Sequence, residues 1–177
     1  MDKYCYKYPH PALTADNIVF AYDGQNLNVL LIERKADPFK NCWAFAGGFM
    51  NIDETIEQCA SRELAEETGL KVEKSEQLAC FSSVNRDPRE RVVSIAFICF
   101  AKMQTVTAGD DAQRACWFKL NAVPELAFDH RQMLNMALQR LKEKILIDKA
   151  FFDFLKDDFT DGQITHLKRE ITDYGCK

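Results

Sequence analysis

Residues 48–70 read GFMNIDETIEQCASRELAEETGL, and this stretch predicts a helix over residues 55–68. Thr55 and Gln58 fit a capping box, in which the two side chains hydrogen-bond to backbone amides at the start of the helix. Gly69 fits the left-handed residue that commonly follows the last turn. The stretch therefore carries its own start and stop signals.

One face of this helix concentrates negative charge. At about 100° per residue, three carboxylates fall on one arc: Glu63, Glu66 and Glu67. No lysine or arginine position lies in that part of the arc. The ordinary interpretation is a solvated acidic face, but like charges at this spacing destabilise a helix. Carboxylate oxygens bind hard divalent cations, so the pattern favours a metal site.

The same stretch resembles the Nudix box, G-x5-E-x7-R-E-U-x-E-E-x-G-U with U aliphatic, at every defined position. The matching residues are Gly48, Glu54, Arg62, Glu63, Leu64, Glu66, Glu67, Gly69 and Leu70. A motif with so many fixed positions is far more specific than a short glycine pattern. The resemblance implies a Nudix hydrolase, which cleaves the pyrophosphate bond of a nucleoside diphosphate linked to a group X.

The resemblance also implies roles for these residues. The three glutamates of the arc would ligate Mg²⁺, or Mn²⁺ as the alternative ion, with the Gly47 carbonyl as a further ligand. Arg62 and Glu54 would orient this catalytic cluster through an ion pair, although the same pair on a surface would contribute little. The metal would neutralise the pyrophosphate and activate a water that attacks phosphorus.

The flanking sequence predicts a mixed β-sheet between helices. The predicted elements are a hairpin over 17–33 that turns at Asp23-Gly24, a short apolar piece over 43–45 that stops at Gly47-Gly48, strands near 77–84, 91–103 and 116–120, and a helix over 130–145. With the resemblance, this order gives an α+β fold, an α/β/α sandwich of the Nudix type. We expect a Nudix domain over 1–147 and a short helical appendage over 148–177.

The segment Arg-Asp-Pro-Arg at 86–89 indicates the substrate. It would also suit a plain loop with a local ion pair, but it resembles the ADP-ribose pyrophosphatase branch of the Nudix hydrolases. The stretches AGDDAQRACWF and LAFDHRQML further along the chain share this resemblance. ADP-ribose, cleaved to AMP and ribose 5-phosphate, is then the expected substrate. Arg86, Arg89 and Arg34 are the candidate substrate-binding residues, because a guanidinium matches phosphate oxygens.

Relatives of this branch place a catalytic carboxylate outside the box, in the loop before the last strand. Here that loop carries Asp110 and Asp111. Either would serve as the general base, or both would only cap a turn. The family pattern often has Glu at such a place. His130, at the start of a predicted helix, is interpreted as structural, since this chemistry does not require a histidine.

The composition limits the partners of the chain. Its net charge is −4, so it has no general attraction to nucleic acid. The seven cysteines lack the spacing of zinc ligands, and the first residues lack the apolar stretch of a signal peptide. We expect a reduced, cytoplasmic protein without a membrane span.

The C-terminal sequence suggests an alternative function. Residues 150–171 resemble the first helix of the winged-helix domain found in ADP-ribose-sensing transcriptional regulators of NAD metabolism. A winged helix needs more chain than the residues up to Lys177 supply, and this tail has nearly balanced charge. We therefore expect a Nudix hydrolase whose tail packs on the catalytic domain or stabilises a homodimer, with the regulator as the alternative.

Overall fold

The structure is a computed structural model that describes residues 6–72, 74–109, 112–148 and 151–175. Its strands are β1 (Ala12–Tyr22), β2 (Leu27–Arg34), β3 (Trp43–Ala44), β4 (Ala46–Phe49), β5 (Lys74–Phe81), β6 (Val92–Phe100) and β7 (Ala112–Lys119). Its helices are α1 (Ile56–Thr68), α2 (His130–Ile147) and α3 (Asp161–Asp173), with single 3-10 turns at Leu120–Ala122 and Asp153–Leu155.

The predicted hairpin, the later strands and both predicted helices are confirmed, with boundaries that differ by a few residues. The prediction for the residues after Trp43 was incomplete. Gly47 and Gly48 do not end an apolar piece but lie inside β4, which pairs with β1. Glycines weaken a strand when judged by propensity alone, and close packing against β1 explains why they are present here.

The strands form one mixed sheet around β1. The order along the sheet is β3-β2-β1-β6-β5, with β4 also paired to β1 and β7 to β2. β1 and β6 run parallel, whereas the other pairs are antiparallel. This arrangement brings β4, β1 and β6 side by side, with Asp16 of β1 opposite Gly47 of β4.

The sheet is buried on both faces because successive side chains of a strand point to opposite sides. In β1, Ile18 and Phe20 belong to the core cluster that α2 and α3 cover, whereas Val19 belongs to the cluster under α1. β2 alternates in the same way, with Leu31 in the first cluster and Leu30 in the second. The predicted α+β sandwich is therefore confirmed.

α1 has the predicted caps. The Thr55 hydroxyl accepts from the Gln58 amide at 3.3 Å, and Gln58 Oε1 accepts from the Thr55 amide at 2.8 Å. Gly69 ends the helix with a φ of 72°, a conformation that costs glycine little. Local sequence thus fixes both ends of the helix that carries the carboxylates.

The C-terminal residues pack on the domain. Three apolar residues of α3 are buried in the same core cluster as β1 and β2: Ile164, Leu167 and Ile171. Polar contacts join the same surfaces, since Glu170 Oε2 accepts from the Leu27 amide at 2.7 Å and the Tyr22 hydroxyl donates to the Gln163 carbonyl at 3.1 Å. α3 therefore covers the open face of the hairpin.

Two further features bear on the cell environment. Among the described helices, none combines the length and apolarity that crossing a membrane requires. Cys42, Cys59, Cys80, Cys99 and Cys116 are free thiols.

Candidate active site

A cleft of about 460 Å³ lies over the end of the sheet nearest the carboxylates of α1. Its lining comes from separate parts of the chain and includes Thr14 and Asp16 of β1, Arg34 of β2, Gly47 and Gly48 of β4, Glu63 and Glu67 of α1, Arg86 and Arg89 of the loop before β6, and His130 of α2. The fold therefore brings most of the predicted site residues to one place.

A buried amide holds α1 against this sheet. Asn17 Nδ2 donates to the carbonyl of Ala46 at 3.2 Å and to that of Ala60 at 3.0 Å. Because Ala46 begins β4 and Ala60 lies inside α1, a single side chain fixes the distance between the helix and the strand. This contact sets the position of the carboxylates that follow Ala60.

Arg62 binds three carboxylates at the edge of the cleft. Its guanidinium lies 2.6 Å from Glu54, 2.7 Å from Glu63 and 3.0 Å from Glu66. The predicted pair with Glu54 is present. No lysine or arginine position lies on the carboxylate arc itself, but the long side chain of Arg62 reaches the carboxylates from beside it.

The glutamates differ in their surroundings. Glu67 is 8% exposed and accepts from the Gly47 amide at 2.8 Å. The Glu66 side chain is 59% exposed and lies outside the cleft lining. Burial raises the pKa of Glu63, whereas hydrogen bonds from Arg62 lower the pKa of Glu54 to about 2. Burial therefore disfavours the charged form of Glu63 when no cation is bound.

The glycines of β4 permit this approach. A Cβ on Gly48 would lie 2.5 Å from the Glu63 carboxyl carbon, and a Cβ on Gly47 would lie 2.1 Å from the Ala15 carbonyl oxygen. Both distances are shorter than real Cβ contacts allow, so a side chain at Gly47 would push β4 away from β1, and one at Gly48 would displace the Glu63 carboxylate. The two glycines at the start of the box thus have a packing cause.

The donor set fits a hard divalent cation. The side chains of the carboxylate face offer only oxygen atoms as metal ligands. Oxygen ligands suit Mg²⁺ rather than softer metals. Within the described residues, no three acidic, histidine or cysteine side chains lie close enough to surround one ion. Mg²⁺ is usually held by one or two carboxylates together with water and substrate phosphates, and Glu63 and Glu67 at the cleft satisfy that requirement.

The three candidate arginines all line the cleft but have different partners. Arg86 is buried and makes two hydrogen bonds to Asp129, at 3.0 and 2.7 Å. Arg89 pairs with Asp87 in the same bidentate way. Arg34 donates to the Pro38 carbonyl at 2.9 Å. Burial, followed by the charge of Arg89, lowers the pKa of Arg34, so an anion between these two guanidinium groups would relieve their repulsion.

Aromatic rings surround these two guanidinium groups. The Arg34 guanidinium lies 4.9 Å from the Phe128 ring, and that of Arg89 lies 5.2 Å from the Phe49 ring. Phe39 and Phe128 are 4.6 Å apart between ring centroids. Phe128 has a φ of 52°, which is uncommon for a bulky residue. Phe39 and Phe49 remain partly exposed, so this wall offers flat apolar surface to a ligand.

Sequence reasoning missed the polar residues on the floor of the cleft, Thr14 and Asp16, and the buried Ser94 beside them. They lie on adjacent strands, and the Ser94 hydroxyl donates to Asp16 Oδ2. A usable signal was present, because polar residues interrupt the otherwise apolar pattern of β1. His130 agrees with its structural interpretation, since its Nδ1 accepts from the Phe45 amide at 3.0 Å and burial lowers its pKa.

The two candidate bases, Asp110 and Asp111, lie outside the described residues. The residue before them, Gly109, donates its amide to the Glu67 carbonyl at 3.1 Å. A Cβ on Gly109 would lie 1.8 Å from the Glu66 carbonyl oxygen. The loop therefore packs directly on the last turn of α1 immediately before the aspartates.

Comparisons with known proteins show the family of this chain. A sequence model of the NUDIX domain matches residues 10–137. An ADP-ribose pyrophosphatase of Methanocaldococcus jannaschii is 44% identical over 128 residues, which are 72% of this chain and 73% of that protein. The ADPR responsive transcriptional repressor NtrR of Acinetobacter baylyi is 33% identical over 142 residues, which are 77% of this chain and 57% of the repressor.

A solved structure has the same fold. The crystal structure of a MutT/nudix family protein from Enterococcus faecalis matches with a TM-score of 0.85 at 32% identity, over 95% of this chain and 77% of that one.

Proposed function

Because this chain belongs to the NUDIX family, we propose that it hydrolyses ADP-ribose to AMP and ribose 5-phosphate in a reaction that uses Mg²⁺. One observation carries the proposal: the carboxylates of α1 and the guanidinium groups of Arg34 and Arg89 line the same cleft. The first set suits a divalent cation, and the second suits the oxygens of a diphosphate. The name of the archaeal relative supports ADP-ribose as the substrate.

In the proposed reaction, the oxygen of a water bonds to one phosphorus and the bond from that phosphorus to the bridging oxygen breaks. The bridging oxygen leaves with the other phosphate. Of the three predicted ligands, Glu63 and Glu67 line the cleft and would hold the metal together with the Gly47 carbonyl, whereas Glu66 lies outside the cleft lining. When bound, Mg²⁺ supplies charge neutralisation at the phosphates and makes water a better nucleophile. Arg62, tied to Glu63, would keep that carboxylate in place.

The rest of the cleft would bind the substrate. Arg34 and Arg89 would contact the diphosphate, and the rings of Phe49 and Phe128, which line the cleft, would stack on the base, since flat apolar rings favour such stacking. Arg86, with its two bonds to Asp129, would shape the wall as well as add positive charge. These interactions position the substrate, which is the main contribution of a protein to this kind of chemistry.

Asp110 or Asp111 would accept the proton of the attacking water. The support is the contact of Gly109 with α1, which leads the chain past the carboxylates just before these residues. Separate Asp110→Asn and Asp111→Asn variants identify the base, because only one of them should lose turnover without a change in ADP-ribose affinity. Equal, near wild-type turnover in both would place the base elsewhere.

The compartment, the oligomeric state and the regulator alternative each have their own observation and test. Free thiols suit a reducing compartment such as the cytoplasm, and the exposed Leu146 and Ile147 at the end of α2 suit a homodimer contact. A sizing column would test the dimer. The regulator alternative rests on the Acinetobacter repressor, of which the match covers 57%. Tight, specific binding to duplex DNA that ADP-ribose reverses would favour it over the enzyme.

A substrate panel tests the proposed function. ADP-ribose, NADH, diadenosine polyphosphates, GDP-mannose and nucleoside triphosphates should be assayed with Mg²⁺ and with Mn²⁺, and the products identified. We expect AMP and ribose 5-phosphate from ADP-ribose, with the highest kcat/KM of the panel. A triphosphate preferred by tenfold, which is about 1.4 kcal/mol of transition-state free energy, would contradict the assignment.

A further inference from the structure

The floor of the cleft carries two polar side chains that the proposed hydrolysis does not use, Thr14 and Asp16. They are alternate residues of β1, so their side chains lie on the same face of the sheet. Both line the cleft, and both are nearly buried, at 7% and 6% exposure. Burying polar groups costs free energy unless hydrogen bonds compensate for the lost water, so these two positions call for a physical explanation.

Asp16 lies in a polar environment that keeps its carboxylate fixed. Ser94 donates to Oδ2, and Arg86 Nη2 lies 4.0 Å from the same oxygen. His130 Nδ1 accepts from the Phe45 amide, which leaves Nε2 as the protonated nitrogen, 3.6 Å from Oδ1. A carboxylate has about four acceptor positions, and these neighbours, among the residues that the structure describes, do not fill them. Asp16 therefore retains acceptor capacity in the cleft.

Thr14 presents an unused hydroxyl beside it. Within the described part of the chain, Thr14 Oγ1 is buried and has no hydrogen-bond partner. Such a group is destabilising unless something bonds to it, and here it lines a cleft open to a ligand. This observation is independent of Asp16 and points to the same floor.

The chemistry of the pair selects its ligand. A carboxylate repels phosphate, so Asp16 needs hydrogen-bond donors, and a neutral hydroxyl beside it both donates and accepts. The hydroxyl groups of a sugar can donate to Asp16 and can both donate to and accept from Thr14. The nucleobase has a different wall available, formed by the rings around Arg34 and Arg89. We propose that Thr14 and Asp16 form a subsite that binds hydroxyl groups of the sugar in group X, which rests on the proposed function and assigns the residues that recognise this sugar.

Direct binding tests the subsite without hydrolysis. Calorimetry with EDTA should compare ADP-ribose with the cyclopentylmethyl ester of ADP, which keeps a five-membered ring but has no hydroxyl groups in place of the sugar. Thr14→Val, which keeps the shape of the side chain, should raise the Kd of ADP-ribose about three- to tenfold, as expected for one lost hydrogen bond. Asp16→Asn should raise it at least tenfold, because the charge-assisted bond is stronger. In both variants, the Kd of the ester should stay within twofold of its value in the wild-type protein.

Thermal unfolding separates this role from a structural one. Thr14→Val removes an unsatisfied hydroxyl and should leave the Tm unchanged or raise it by about 2–4 °C. The matched control is Thr68→Val, because the buried Thr68 hydroxyl already bonds to the Leu64 carbonyl and the Leu70 amide. Thr68→Val should have a lower Tm than the wild-type protein. The ratio of the Kd of ADP-ribose to the Kd of the ester should stay unchanged.

The outcomes distinguish this subsite from the proposed function. If Thr14→Val weakens both ligands equally, or neither, the sugar subsite is wrong while hydrolysis of ADP-ribose can stand. If the Kd values change as expected but no diphosphate is hydrolysed with Mg²⁺, the subsite stands and the enzyme assignment is wrong. If the wild-type protein binds neither ligand, the sugar subsite is wrong, and if it also hydrolyses no diphosphate with Mg²⁺, both proposals are wrong.

Discussion

Glu67 offers the sharpest test of the metal face, because its structural and chemical roles can be separated. Its carboxylate accepts from the Gly47 amide at 2.8 Å and is almost fully buried. Glu67→Gln keeps an oxygen that accepts this bond and removes one negative charge. We expect kcat/KM for ADP-ribose to fall at least about a hundredfold, the scale reported for weakened metal sites, which equals about 2.7 kcal/mol. Stability without metal should stay the same or rise, since repulsion within the acidic face decreases.

Glu67→Ala provides the structural comparison. It removes the charge and also leaves the Gly47 amide without this acceptor, which costs about 1–3 kcal/mol of folding free energy. Both variants should lose activity, but only the alanine variant should unfold at lower urea concentration. Glu57→Gln, on the exposed first turn of the same helix, is the control and should keep wild-type turnover. Near wild-type turnover in Glu67→Gln would refute the assignment of this helix face as the metal site.

Two other predictions concern stability. Leu167→Ala leaves a cavity at a fully buried position of α3 and should lower the free energy of unfolding in urea by about 3 kcal/mol. Arg169→Ala, at an exposed position of the same helix, is the control and should change this free energy by about 0.5 kcal/mol or less. Equal effects of the two variants, or two separate unfolding transitions, would make residues 148–177 an independent appendage. Burial lowers the pKa of His130 from its ordinary 6.5, so the unfolded chain binds a proton more readily and stability should fall as pH decreases below about 6.5. His130→Asn, which keeps an acceptor for the Phe45 amide, should show a smaller fall between pH 7 and 5 by the same assay, and an unchanged slope would contradict this origin.

The sequence by itself determined α1 and its ends. The capping pair Thr55 and Gln58 and the glycine at 69 are local signals, because each acts on backbone groups within a few residues. The spacing of Glu63, Glu66 and Glu67 likewise follows from helical periodicity alone. The same holds for the Asp23-Gly24 turn and for the alternating apolar residues of β1 and β2. The pattern of the box, fixed at many positions, then indicated the reaction class.

Only the tertiary structure decided which distant residues share the cleft. β4 was missed because its glycines have low strand propensity, and the reason for them is contact with Ala15 and Glu63, which lie far away in sequence. Arg86 turned out to be bonded to Asp129, a pairing 43 residues apart that no local pattern encodes. Thr14 and Asp16 become part of the cleft only when β1, β4 and β6 lie side by side in the folded sheet. Local interactions depend on neighbours in the chain and can be predicted from it, whereas a site built across strands depends on register and packing, which form only in the folded protein.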